Sequence, residues 1–96
     1  MTNNNIYFIA NWKMFGSVKS VNSLSKVISY SKIKKLKAKI IYCPPYTLIK
    51  YFVDKTKNSN IEIGAQDCHA QPNYGPFTGG ISSKMIKDLG GKFVII

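Results

Sequence analysis

With 96 residues the chain can build one small domain and not two, and its 45% hydrophobic content excludes a disordered tail. No apolar run approaches the ~20 residues of a membrane span, and Met1-Thr2-Asn3-Asn4-Asn5 has neither the basic flank nor the apolar core of a signal peptide. The 14 basic residues, all lysine, face 4 acidic ones for a net charge of +10.

Ile6-Tyr7-Phe8-Ile9-Ala10 is a short apolar run of β-branched and aromatic residues, which predicts a buried strand. Gly16-Ser17 breaks the chain, and Ser17 is a suitable helix cap. Val18, Val21, Leu24, Val27 and Ile28 then recur at three- and four-residue spacings, predicting one helix with one apolar face up to about Tyr30. Lys39-Ile40-Ile41-Tyr42-Cys43 is a second strand, ended by Pro44-Pro45 because proline cannot donate to a ladder. Tyr46 to Lys55 suits a second helix with Leu48, Ile49, Phe52 and Val53 inward. Asn58-Ser59-Asn60 is a turn, and Ile61-Glu62-Ile63-Gly64-Ala65 a third strand. Gln66 to Gly80, rich in glycine, proline and polar residues, exceeds the usual length of a βα connection; long loops are commonly functional. Ile81 to Gly90 predicts a third helix, opened by Ser82 or Ser83 and closed by Gly90-Gly91. Phe93-Val94-Ile95-Ile96 starts a fourth strand.

The order βαβαβαβ with near-continuous apolar strands predicts a parallel sheet buried on both faces under helices. An apolar strand reaching Ile96 with no helix after it leaves an uncovered edge. The expectation is therefore a truncated sequence. No glycine-rich phosphate motif follows any strand, so the common nucleotide-binding α/β motifs are missing.

The densest basic stretch is Lys32-Ile33-Lys34-Lys35-Leu36-Lys37-Ala38-Lys39. Lysines release counterions from phosphate, but base edges are read mostly by arginine, which is absent. The excess of lysine, isoleucine, asparagine, tyrosine and phenylalanine matches A/T-rich codons, a sufficient source of the charge. A solvated basic surface is expected, not a nucleic-acid partner. Cys43 and Cys68, far apart without a signal peptide, are expected as free thiols. Asp67-Cys68-His69 lacks the repeated short ligand spacing of a zinc site, so no metal is expected and His69 reads as a loop residue.

In parallel α/β folds, ligands bind beyond the carboxyl ends of the strands. There the first strand offers Asn11-Trp12-Lys13. Strand alternation would project Asn11 and Lys13 the same way, on either side of Trp12. An amide and an ammonium aimed at one spot suit a phosphorylated or enolate-forming substrate. On spacing alone the pattern is weak, and a turn asparagine beside a solvated lysine fits it better. Trp12 and Met14 suit packing under the next helix. Thr78-Gly79-Gly80 suits a turn better than a phosphate-binding nest.

The motifs taken together resemble one family. Ala10-Asn11-Trp12-Lys13-Met14 after an apolar strand is similar to the opening of the triosephosphate isomerases. In the same order, Cys43-Pro44-Pro45-Tyr46 resembles the end of their second strand, and Ile63-Gly64-Ala65-Gln66-Asp67 their third strand and loop. Phe77-Thr78-Gly79 with Ile81-Ser82 resembles their long dimerisation loop. Met85 to Gly90 and Val94-Ile95-Ile96 resemble their third helix and fourth strand.

The resemblance implies a partial (β/α)8 barrel, residues 1–96 forming the N-terminal portion of a single barrel domain. It implies an aldose–ketose isomerase of glycolysis and gluconeogenesis, located in the cytoplasm. This would interconvert dihydroxyacetone phosphate and glyceraldehyde 3-phosphate through an enediolate, without a cofactor. Asn11 and Lys13 are implied as substrate-binding residues. Met14, Gln66, Thr78 and Gly79 are implied at a homodimer interface, with Thr78 near Asn11 of the partner subunit. Gly80 stands where the family usually has an acidic residue, which puts one intersubunit polar contact in doubt. The family's Gly-His-Ser-Glu motif begins where this sequence stops, and its glutamate base lies later still. Triosephosphate isomerase is itself the standard worked case of a glutamate base paired with a neutral histidine. Neither His69 nor any of Asp54, Glu62, Asp67 and Asp88 matches those groups, so these residues alone are expected to be inactive. The competing readings are a decayed or repurposed half-barrel that binds through its open edges, and a basic nucleic-acid binder.

Overall fold

The computed structural model describes residues 6–34 and 38–96. Its elements are β1 (Ile6–Asn11), a 3-10 segment (Val18–Ser23), α1 (Leu24–Lys34), β2 (Ala38–Cys43), α2 (Tyr46–Lys55), β3 (Ile61–Ala65), α3 (Ser83–Asp88) and β4 (Phe93–Val94). The basic stretch Lys32–Lys39 lies partly outside the described residues, at positions 35–37.

The strands pair in parallel in the order β1-β2-β3-β4. Asn11 lies beside Cys43, Tyr42 beside Ile63, and Ala65 beside Val94. Right-handed crossovers that always step in one direction put every helix on the same face. A doubly wound sheet reverses direction and puts helices on both faces. This arrangement instead curls the four strands into a half-barrel with the helices outside.

The core lies between the helices and that outer face. Leu24, Leu48, Ile49, Phe52 and Ile86 come from the helices and meet Ile61, Ile63 and Ala65, the alternate residues of β3. Trp12 packs edge-to-face on Phe52 at 5.0 Å and on Tyr42 at 6.3 Å, joining the end of β1 to α2. Gly64 permits the close approach of β4, since a Cβ there would lie 2.8 Å from the Phe93 carbonyl oxygen.

Four expectations are corrected. The first helix is not continuous: Val18–Ser23 is a 3-10 turn, and the α-helix starts at Leu24. Spacings of three and four residues fit both helix types, so the pattern does not separate them. Only Leu24 of its predicted apolar face is fully buried, whereas Val18 is exposed. The third helix is shorter than expected, running from Ser83 to Asp88, with the Ser82 Oγ accepting the Met85 N–H at 3.2 Å as its cap. Gly90, at φ 100, follows its end. β4 is likewise shorter, although Ile95 N–H still reaches the Ala65 carbonyl at 3.0 Å. Finally, β1 is not buried: Ile6 and Phe8 are each 60% exposed and Ile9 56%. Among the described residues, β1 is an edge strand with β2 as its one neighbour.

Asp54, on α2, sits between Lys50 (3.2 Å) and Lys57 (3.5 Å), which hold its carboxyl below the usual aspartate range. Cys43 is fully buried and Cys68 only half-buried, both as free thiols. Burial pushes the Cys43 thiol up, partly offset by a backbone hydrogen bond at Gly64. Because the thiolate is the reactive form, iodoacetamide at neutral pH is expected to label Cys68 first and Cys43 only in denaturant. Equal labelling rates in the folded state would contradict this packing.

Candidate functional site

All four strands end on the same side of the sheet, which brings Asn11, Cys43 and Gln66 together. β1 stops at Asn11, and Lys13 takes a left-handed backbone with φ 55. A non-glycine residue held there costs of order 1–3 kcal/mol and persists only where its surroundings fix it. Strand alternation therefore does not carry through to Lys13, contrary to the sequence expectation. Instead the Asn11 side-chain oxygen turns back and accepts the Lys13 N–H at 2.9 Å. The NH2 half of that amide remains the end that can donate to a ligand.

Gln66, the first residue beyond β3, reaches across the strand ends. Its Nε2 donates to the Lys13 carbonyl at 2.7 Å and to the Cys43 carbonyl at 3.0 Å. Trp12 N–H also donates to Cys43, at 3.1 Å. A hollow of about 140 Å3 opens here, lined by Lys13, Met14, Pro45, Tyr46, Gln66 and Asp67. Lys13 supplies the one cationic side chain of that lining. Tyr46 donates its hydroxyl to the Asp67 carboxylate and to the Asp67 carbonyl, the latter at 2.8 Å. Desolvation and then the Asp67 bond raise the Tyr46 pKa above the ordinary tyrosine value.

The structure thus joins Asn11, Lys13, Met14 and Gln66 at one end of the sheet. Thr78 and Gly79 lie apart from the hollow, in an exposed turn where Gly79 adopts φ 79 and Gly80 N–H bonds the Phe77 carbonyl at 3.2 Å. His69 stacks on Phe77 with ring centroids 4.4 Å apart, and its Nδ1 accepts the Gln71 N–H at 2.9 Å. A larger hollow, about 750 Å3, lies beside α3 and β4 among Lys84, Lys87, Lys92 and Phe93, and holds none of the candidate residues. Sequence reasoning placed Gln66 at a subunit interface and missed its grip on Lys13. Its position directly after a strand, at the same sheet end as Asn11, was the signal available.

Comparison with known proteins bears on this geometry. The family model described as triosephosphate isomerase matches residues 6–96. The chain belongs to the triosephosphate isomerase family. It is 40% identical to the triosephosphate isomerase of Wolbachia sp. subsp. Brugia malayi (strain TRS) over 89 residues, 92% of this chain and 36% of that protein. It is 38% identical to that of Clostridium botulinum (strain Loch Maree / Type A3) over 86 residues, 90% of this chain and 34% of that protein. The crystal structure of triosephosphate isomerase from Bartonella henselae superposes with a TM-score of 0.83 at 34% identity, covering 95% of this chain and 36% of that one. The chain spans about a third of the length of the relatives it matches. Among the described residues, no helix is long and apolar enough to cross a membrane.

Proposed function

We propose that residues 1–96 form the substrate-binding first part of a triosephosphate isomerase barrel, contributing Asn11 and Lys13 to the interconversion of dihydroxyacetone phosphate and glyceraldehyde 3-phosphate. The observation that carries this reading is the arrangement at the strand ends. Lys13 is locked beside Asn11 by a direct hydrogen bond and borders the hollow at the carboxyl end of the sheet, where parallel α/β folds bind ligands.

The chemistry follows from the groups. Removing a proton next to a carbonyl places negative charge on the carbonyl oxygen as the enediolate forms. The Lys13 ammonium stabilises that charge and attracts the substrate phosphate. Asn11 donates a hydrogen bond and orients both substrate and lysine. The step as read needs no cofactor.

These residues do not supply the base. Glu62 is paired with Lys92 at 3.4 Å, and Asp54 with its two lysines. Asp67 lines the hollow but is occupied by the Tyr46 hydroxyl. Asp88 lies exposed on α3. His69 is absent from the hollow's lining. General acid–base work requires a group within about 2.6–3.2 Å of the proton moved. We therefore read the 96 residues alone as inactive.

A homodimer is part of the same reading. Met14 is 93% exposed, Phe15 beside it is exposed, and so are Tyr74 and Phe77 on the separate loop after β3. Apolar side chains presented by loops in this way suit burial against a second subunit. Gln66, and Thr78 and Gly79 on their separate turn, would contribute to that interface, and triose phosphate would be the small-molecule partner.

The test is an isomerase assay on two proteins. One is the 96-residue chain. The other is a fusion in which residues 6–96 replace the corresponding segment of the Brugia malayi Wolbachia relative. The expected result is no turnover from the chain and clear turnover from the fusion. Turnover by the chain alone would refute its inactivity, and a folded but inactive fusion would refute the assigned function.

A further inference from the structure

A basic and an acidic side chain border the same small hollow. Lys13 and Asp67 both line it, and its volume of about 140 Å3 is within the reach of a lysine, whose ammonium rides on a flexible stem. An ammonium and a carboxylate so placed can close on each other as an exposed ion pair. Here they do not. Among the described residues the ion pairs join Lys50 and Lys57 to Asp54 and Lys92 to Glu62, and neither Lys13 nor Asp67 takes part in one.

Tyr46 accounts for that. It opens α2 directly after Pro44-Pro45, and Pro44 is fully buried. Proline fixes φ, so the backbone entering the helix has little freedom. The Tyr46 side chain is half-buried and packs against the core cluster. Its hydroxyl donates to the Asp67 carboxylate, and to the Asp67 carbonyl at 2.8 Å. One anchored hydroxyl therefore holds both the backbone and the side chain of Asp67. Desolvation and then this bond raise the Tyr46 pKa, so the hydroxyl keeps its proton and stays a donor. A hydrogen bond to a charged acceptor is roughly twice as strong as a neutral one and outweighs an exposed ion pair.

We propose that Tyr46 is a positioning residue that keeps the Asp67 carboxylate off Lys13 and so leaves the ammonium free for the anionic substrate. The inference rests on reading Lys13 as a substrate-binding residue. It adds to that reading the group that stops a neighbouring carboxylate from competing with the substrate.

A double-mutant cycle in the fusion protein tests it. Tyr46→Phe keeps the ring in its packing and removes the donor. Asp67→Asn removes the charge and keeps an oxygen for Tyr46 to bond. The crystal structure of Tyr46→Phe is expected to show the Asp67 carboxylate within about 4 Å of the Lys13 Nζ. kcat/KM for dihydroxyacetone phosphate is expected to fall by about fivefold, the upper value for an exposed pair. In the Asp67→Asn background the same Tyr46→Phe change is expected to cost nothing, because no charge is left to release. That rescue separates steering of Asp67 from support of the fold, which would be lost in either background.

A Tyr46→Phe loss that persists alongside Asp67→Asn would overturn the proposal. So would an Asp67 carboxylate that stays away from Lys13 in the Tyr46→Phe crystal. If the pair forms and kcat/KM does not change, the steering of Asp67 stands and the placement of Lys13 on the substrate is what fails. An inactive parent fusion would count against the assigned function, while the Lys13–Asp67 distance in the crystals would still decide the role of Tyr46.

Discussion

Replacing Lys13 by Met in the fusion protein is expected to lower kcat by about 100- to 1,000-fold, the usual cost of losing one preorganised donor at a developing oxyanion. Methionine is also unbranched and close in length, so it can follow the same path through the left-handed backbone. What it lacks is the charge. Among the described residues, Lys13 supplies the one cationic side chain lining the hollow, next to the Asp67 carboxyl group. Without the ammonium, nothing in that lining balances the enediolate or the phosphate. Lys13 is exposed and outside the core, so stability should stay within about 0.5 kcal/mol. Lys13→Arg should not restore the rate, because a broad planar fork replaces a compact point charge. A steady-state assay with a urea titration separates the two effects. A Met variant of near-parental kcat would remove Lys13 from the chemistry.

The largest effect on stability is expected from Phe52→Ala, at about 3–5 kcal/mol. Phe52 has no exposed surface and sits at the centre of the cluster joining α2 to β3 and α1. Its ring also carries the edge of Trp12 at 5.0 Å. The cavity left behind would therefore loosen the indole that lies between Asn11 and Lys13, so activity should fall along with stability. Domains of this kind are stable by only about 5–15 kcal/mol, so the loss is a large fraction of the total. Thr47→Ala, at an exposed position of the same helix, should change stability by less than about 0.5 kcal/mol. Urea unfolding of the fusion followed by circular dichroism is the measurement. A loss below about 1 kcal/mol for Phe52→Ala would contradict the packing.

Much of the fold was legible because punctuation and periodicity coincide. Pro44-Pro45 ends β2, and α2 starts at Tyr46 as expected. Asn58-Ser59-Asn60 separates α2 from β3, whose bounds match the apolar run Ile61–Ala65. The βα order with its near-continuous apolar strands predicted a parallel sheet, and the strands pair that way. Less legible were features set by tertiary neighbours. The exposure of Ile6, Phe8 and Ile9 follows from β1 lying at the sheet edge, which composition does not encode. The 3-10 start of the first helix shares its spacing with an α-helix.

The candidate site divides in the same way. Asn11 and Lys13 were visible as a polar pair at a strand end. Their geometry was not, because no residue type announces a lysine at φ 55. One of its hydrogen-bond partners is Gln66, which lies 53 positions away in sequence and meets Lys13 only after three strands have paired. Asp67 is comparable: its engagement by Tyr46 appears only once α2 is packed.

The most direct measurement is a crystal structure of the fusion protein with dihydroxyacetone phosphate bound. The account predicts the substrate at the carboxyl ends of β1 to β3. It places a substrate oxygen within about 2.6–3.2 Å of the Lys13 Nζ and of the Asn11 amide nitrogen, with Lys13 still in its left-handed backbone. A substrate bound elsewhere, with the Lys13 ammonium left in solvent, would contradict it.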